Sequence, residues 1–282
     1  MRLFFVSLSL GILIAVAGFA ATTLDVYFMD VGHGDAILID CGDWEVLIDA
    51  GRGYSATSAG VLERCIEDGI LELAILSHPH ADHYGGFSAA LQDYEVWEAW
   101  SSHDAVPDRC GLTYRAFSAS VGAEGLVWTH LERGERRRTG CLAWTVLSPG
   151  EIKSMPIEDN DNDNSLVLLL EYGNAAFLFA GDIQTPSEKV ISSIALPESF
   201  LVLKLPHHGS DSSSAIEFLE WADPELAIVS GNAGDLSAAV VANLGQRNVP
   251  FLTTFDNGTI CVSTDGTAVW VRIVGAPADR GS

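Results

Sequence analysis

Apolar residues along this chain come in short runs rather than long amphipathic stripes. "LDVYFMDV", "AILID", "EVLIDA", "LELAILS", "AWTVLS", "SLVLLLEY", "AAFLFAGD", "FLVLKL", "LAIVS", "PFLTT", "GTICVS" and "AVWVRIV" each have the length and composition of a strand. Between them, Thr57 to Asp68, Phe87 to Gln92, Thr185 to Ala195, Ser213 to Ala222 and Leu236 to Leu244 are compatible with helices. The pattern is α/β, with more strands than helices. Several strands, "LVLLL" among them, are apolar on both faces, which predicts sheets covered on both sides, for example two stacked sheets with helices outside. No Pro/Ser/Gly-rich linker divides the body, so a single domain is expected over residues 21–282. The region from Ser101 to Thr139 is less regular. Its "ERGERRR", Glu132 to Arg138, reads as a solvated charged loop in preference to a phosphate-facing patch.

Residues 1–20 stand apart. One positive charge at Arg2, an apolar run, and Gly18 and Ala20 at the spacing of a signal-peptidase site predict an export signal cut after Ala20. The rival reading is an uncleaved membrane anchor, since Leu3 to Ala21 approaches the roughly 20 residues that span a bilayer. Ser7, Ser9 and Gly11 dilute the run, and no basic cluster follows it, which favours cleavage and a secreted or envelope-associated protein.

Composition narrows the functions. The 282 residues, 48% hydrophobic, are enough to bury a substantial core. Fifteen basic against 38 acidic residues give a formal charge of −23, which leaves no extended basic surface for duplex DNA. Five cysteines show no CxxC pair and no ligand spacing. In an exported protein, Cys110 with Cys141 is the first disulfide to expect.

The candidate chemistry lies in "LSHPHADHYGGF", Leu76 to Phe87. His78, His80, Asp82 and His83 follow a predicted strand, where active-site residues of α/β proteins collect. Neutral imidazoles and a carboxylate are ligands that Zn, Mn or Fe accept, and three histidines with an aspartate are hard to explain as packing. "FLFAGD" ends another strand in Asp182, and "LKLPHHGS" a third in His207 and His208. A buried unpaired carboxylate is costly, whereas one bridging two cations is stabilised, so convergence on one rim is the economical reading. "EDNDNDNS", Glu158 to Ser165, lacks the glycine and glutamate of a calcium loop and reads as a polar turn. His33 and Asp35 in "GHGDA" are within reach of the rim, with Asp35 more often a turn cap than a substrate contact. His103 and His130 read as surface residues; Trp97 and Trp100 are candidate pocket walls in a set of tryptophans otherwise assigned to the core.

"HPHADH", "AGD" and "PHHGS", in this order after matching strands, resemble the metallo-β-lactamase-fold hydrolases. "VYFMDVGHGDAILID", "VLIDAG", "NDNSLVLLLEYG" and "LVLKLPHHGS" most resemble the branch containing the hydrolase domain of the DNA-uptake protein ComEC, over about Leu24 to Thr264. The resemblance implies a four-layer αββα sandwich and two divalent ions, Zn or Mn. His78 and His80 would hold one, Asp82, His83 and His208 the other, and Asp182 would bridge them. It also implies that Asp49 orients the ligand loop and that the first ion, with Asn164 where many members have histidine but ComEC-like members have asparagine, is weakly held, completed by water or by the Asn164 side chain. Asp82 as proton acceptor and His207 as oxyanion partner would make the protein a phosphodiesterase, acting on a small diester or on single-stranded nucleic acid. A zinc β-lactamase-type hydrolase of another ester or amide, and a non-catalytic metal-binding module, are the alternatives. One departure concerns the substrate end: ComEC-like domains tend to carry Asn-x-Tyr-x-His-Pro after "SGN", where this chain has "AGDLSAAV".

Overall fold

The computed structural model describes residues 22–53, 55–102, 112–123, 125–150 and 162–275. The first sheet contains β1 (Leu24–Phe28), β2 (Ala36–Asp40), β3 (Glu45–Ala50), β4 (Ile70–Leu76), β5 (Glu95–Ser102) and β6 (Trp128–Leu131). The second contains β7 (Arg136–Thr139), β8 (Leu142–Ser148), β9 (Val167–Tyr172), β10 (Ala175–Phe179), β11 (Phe200–Lys204), β12 (Leu226–Val229) and β13 (Phe251–Thr253). The chain then returns to the first sheet as β14 (Thr259–Thr264) and β15 (Val269–Val274). Strand orders are β15-β14-β1-β2-β3-β4-β5-β6 and β13-β12-β11-β10-β9-β8-β7.

The helices are α1 (Ala56–Cys65), α2 (Ala81–Tyr84), α3 (Phe87–Asp93), α4 (Leu112–Ala123), α5 (Thr185–Ile191), α6 (Ile216–Ala222), α7 (Ala238–Arg247) and α8 (Thr254–Asn257). Their placement follows from strand direction. Neighbours from β3 to β6 and from β10 to β13 are parallel, and parallel strands need a crossover. Each crossover carries a helix, so the loops leaving the carboxyl ends of β3, β4, β10, β11 and β12 share one rim.

Alternation along the strands sorts side chains into three cores. Ile48, Ile75 and Trp100 of the first sheet meet Trp144, Phe177 and Ile228 of the second between the sheets. Their sequence neighbours Leu47, Ala74 and Leu76 face outward, onto Val61, Leu62, Phe87 and Phe117 of α1, α3 and α4. On the far side, Leu178, Leu203 and Val229 pack on Phe218, Leu219 and Leu244 of α6 and α7. Burying each such side chain contributes about 1.5–3 kcal/mol, and a strand that faces two cores contributes on both faces. The result is the expected αββα sandwich.

Three readings need correction. Cys141 pairs with Cys41, not Cys110, which lies outside the described residues; the disulfide joins the end of β2 to the β7–β8 turn and so ties the two sheets together. Trp100 is buried edge-on against Trp144 rather than lining a pocket. Ser101–Thr139 is not one irregular loop: it contains α4, β6 and β7, so Arg136 to Arg138 belong to a strand. Trp97 is exposed beside a shallow cavity with Val127 and Thr129. His103 and the leader at 1–20 lie outside the described residues. Among the described residues, no helix is long and apolar enough to cross a membrane.

Candidate metal centre

Asp49, near the end of β3, has φ 54°, a left-handed conformation that costs an aspartate of order 1 kcal/mol. Its carboxylate accepts the Ser77 backbone N–H (2.8 Å), the Ser77 hydroxyl (2.7 Å) and His83 Nδ1–H (2.7 Å). With its proton committed to Asp49, the Ser77 oxygen is free to accept from His78 Nδ1 at 3.0 Å. One buried carboxylate and one hydroxyl thereby fix two imidazoles with Nε2 facing inward.

The remaining groups arrive from other strand ends. His80 caps the single turn α2, which carries Asp82 and His83 back beside His78. Asp182 sits in the turn after β10, where its N–H donates to Ser165 Oγ at 3.1 Å. Gly181 has φ 54°, and a Cβ there would lie 2.7 Å from that of Ser165, so only glycine lets this turn close. His207 and His208 occupy a 3-10 turn, both left-handed, at φ 50° and 54°. His208 Nδ1 donates to the Ser230 carbonyl at 3.2 Å and lies 3.5 Å from Asp35.

Asp182 is where these groups meet. Its Oδ2 lies 3.3 Å from His83 Nε2, 3.4 Å from His208 Nε2 and 3.8 Å from His78 Nε2. Asp82 Oδ2 lies 3.6 Å from His208 Nε2 and 4.0 Å from His83 Nε2. All three histidine Nε2 atoms and Asp182 Oδ1 are buried without a hydrogen-bond partner. Burial opposes charge on His83 and His208, but Asp182 first, then Asp49 and Asp35 respectively, hold both well above the usual imidazole range. Burial likewise opposes ionisation of Asp182, and His208 and His83 outweigh it, so the carboxyl is held well below its ordinary value. For His78 the balance falls the other way: burial, with His83 beside it, outweighs Asp182 and pushes it well down. Inward-facing imidazole nitrogens around a carboxylate, with no partner of their own, fit a divalent cation.

The other predicted residues divide. His80 is half-buried and stacks edge-on against His78, ring centroids 4.6 Å apart. Asn164 is buried, with Oδ1 lacking a partner. His207 lies on the rim, Nδ1 within 3.1 Å of Ser212 Oγ and Nε2 within 3.4 Å of Asn162 Nδ2, its proton affinity lowered by burial. His130, on edge strand β6, is 2.9 Å from Ser101 Oγ. Asp35 neither contacts the rim surface nor serves only as a turn cap. Fully buried, it pairs with Lys204 Nζ at 2.5 Å, and Lys204 with His208 brings its carboxyl down to about 2 against the opposing effect of burial. Lys204, buried at the end of β11, thereby supports His208 through Asp35. Ser77 and Asp235 escaped the sequence reading: neither stands in a ligand-like spacing.

No family model matches the chain. Among solved structures, the metallo-β-lactamase-fold protein YhfI from Bacillus subtilis aligns with TM-score 0.51 and 14% identity, covering 89% of this chain and 100% of that one. The chain has the metallo-β-lactamase fold. Within it, the sequence is similar to ComE operon protein 3 of Bacillus subtilis strain 168, at 26% identity over 258 residues, 84% of this chain and 32% of that protein. It is similar also to Recombination protein 2 of Haemophilus influenzae, at 31% identity over 214 residues, 74% of this chain and 24% of that protein. This ComEC-like metallo-β-lactamase-fold chain thus spans a quarter to a third of the length of these relatives. The cluster at the carboxyl ends of β3, β4, β10 and β11 is its candidate metal centre.

Proposed function

We propose that the protein is a dinuclear metal-dependent hydrolase of phosphodiesters that works outside the cytoplasm. The observation that carries this reading is the convergence of His78, His83 and His208 Nε2 on Asp182, each buried and each oriented from behind. His78 and His80, with Asn164, would hold one ion; Asp82, His83 and His208 would hold the other, with Asp182 between. Two divalent ions, Zn or Mn, would supply Lewis-acid chemistry, acidifying a water and neutralising charge on a phosphoryl group. Asp82, 15% exposed and held well below the usual carboxylate range by His208 and His83 against burial, has an ionised oxygen at the rim to accept a proton. His207, on the same rim, is placed to donate to phosphoryl oxygens.

A cavity of about 370 Å³ opens beside the centre, bordered by His33, His207, His208 and Ser210. The net charge of −23 favours a small diester or a short single strand over a long polyanion. The Cys41–Cys141 disulfide supports an oxidising compartment, in keeping with the signal-like leader.

The test is hydrolysis of bis(p-nitrophenyl) phosphate by protein stripped of metal and reloaded with Zn or Mn, beside Asp182→Ala. Metal-restored turnover that the variant lacks is expected. Full activity in Asp182→Ala, or no turnover on any diester with two ions bound, would refute the reading.

A further inference from the structure

One histidine at the mouth of this centre has not been given a role. The "GHGDA" turn between β1 and β2 is pressed onto α2: Asp35 N–H donates to the Asp82 carbonyl at 3.3 Å. Gly34, with φ 122°, has no room for a side chain, since a Cβ would lie 2.2 Å from that same carbonyl oxygen. This contact delivers His33 to the mouth of the centre. Its Nε2 lies 3.0 Å from Asp82 Oδ2, and its ring centroid 4.9 Å from that of His208. Its Nδ1 lies 2.8 Å from Asp235 Oδ2, and Asp235 is itself fixed by the Asn232 N–H at 2.7 Å. Asp235 belongs to "AGDLSAAV", in the loop between β12 and α7.

His33 repeats the arrangement of the three buried histidines. In each, Nδ1 is held by an oxygen behind the ring: Ser77 for His78, Asp49 for His83, Ser230 for His208 and Asp235 for His33. In each, Nε2 faces an aspartate of the centre. A metal-bound imidazole almost always has such a carboxylate or carbonyl behind it. The spacing fits: Asp82, His83, His208 and the shared Asp182 would already hold this ion, so His33 makes it five-coordinate, and ligand atoms 2.0–2.2 Å from an ion at 90–120° to one another are about 3.0–3.6 Å apart. His33 Nε2 and His208 Nε2 lie 3.0 and 3.6 Å from Asp82 Oδ2, and each of the three residues has a ligand atom within 4.8 Å of the other two.

We infer that His33 is a protein ligand of the second ion, beside Asp82 and His208, with Asp235 as the positioning carboxylate behind it. The inference rests on the dinuclear reading above. It makes the two sites unequal: the second gains an imidazole, while the first is completed by the amide Asn164. The substrate then approaches over the His207 side of the cavity, because His33 is committed to the ion.

Zinc titration by calorimetry and by chelator competition, with the visible spectrum of the Co(II)-substituted protein, tests this without reference to activity. Wild type should bind two ions. Asp235→Asn should weaken one of them about 10–100-fold and leave the other unchanged, and His33→Ala should weaken the same ion at least as much, with altered Co(II) absorption. Circular dichroism and the urea midpoint confirm that both variants fold; because Asp235 is partly exposed, its variant tests the inference even if His33→Ala does not fold. Wild-type affinities and an unchanged Co(II) spectrum in both variants would overturn the assignment, and a loss of turnover in those variants would then make His33 a substrate contact. If wild type binds one ion only, the dinuclear reading fails, and the same titrations still decide whether His33 holds that ion.

Discussion

Replacing Asp49 by alanine and by asparagine should separate folding from metal binding. The carboxylate takes three hydrogen bonds, from Ser77 N, Ser77 Oγ and His83 Nδ1, all within 2.8 Å and all buried. In Asp49→Ala the Ser77 N–H is left without a partner, and His83 Nδ1–H keeps only the longer contact to Ser77 Oγ at 3.3 Å. A buried orphan costs about 1–3 kcal/mol and a lost charge-assisted bond about 1 kcal/mol more, so the stripped protein should lose roughly 2–4 kcal/mol. Asp49→Asn behaves differently. Its amide oxygen keeps the Ser77 N–H, and its NH₂ can donate to His83 Nδ1 if the ring proton moves to Nε2, where it meets Asp182 at 3.3 Å. Folding then loses about 1–2 kcal/mol, mainly charge assistance. With Nδ1 now the acceptor, however, the inward nitrogen cannot give up its proton without breaking that bond, and zinc affinity should fall about 10–100-fold. Urea unfolding of stripped protein measures the first effect and zinc titration the second. Alanine within 1 kcal/mol of wild type, or asparagine with wild-type affinity, would refute the role assigned to Asp49.

Three further outcomes follow from other parts of the molecule. Burial raises the Glu188 carboxyl to about 7, despite backbone N–H donors from Ala215 and Ser214. The folded state then binds more protons than the unfolded one between about pH 4.5 and 7, so stability should fall by roughly 3 kcal/mol as pH rises through that window, and Glu188→Gln should flatten the decline in urea midpoints. The Cys41–Cys141 bond closes a loop of 100 residues, and reduction, or Cys41→Ser, should cost about 2–4 kcal/mol in the same assay; an unchanged midpoint would show that the bond does not form. Zinc at a hundred times its dissociation constant should stabilise wild type by about 2.7 kcal/mol per site, and Asp182→Ala should lose most of this shift; an equal shift in the variant would remove Asp182 from the centre.

Much of this was legible in the sequence, because it is local. Strands such as Val167–Tyr172 announce themselves by apolar residues on both faces, and ligand candidates by standing just after a buried strand. Glu95–Ser102 gave no such signal: its first half is largely exposed and carries Glu95 and Glu98, so alternation is visible only in its buried end. In Leu112–Ala123 serine and glycine blur the helical period that Tyr114, Phe117 and Val121 mark out. Pairings between distant segments leave no trace in spacing. His33 and Asp235 are 202 residues apart, Cys41 and Cys141 are 100 apart, and Lys204 reads as an odd core residue until Asp35 is placed against it.

These long-range pairings bear on how the centre is held. Asp49, His207 and His208 all have φ above 50° or at it, conformations that each cost of order 1–3 kcal/mol unless the surroundings impose them. The impositions come from separate strand ends: Ser77 fixes Asp49, Ser230 and the Asp35–Lys204 pair fix His208, and Ser165 fixes the turn of Asp182. Ser77 meets Asp49 within the first sheet, and Ser230 and Ser165 meet His208 and Asp182 within the second, but the Asp35–Lys204 pair and the bond from Leu166 N–H to the Ser77 carbonyl form only when the two sheets have met. The ligand geometry is therefore a property of the assembled sandwich rather than of any motif. A peptide carrying "HPHADH" alone has the ligand types but lacks the oxygens behind the rings, and with them the tautomer that turns every Nε2 inward.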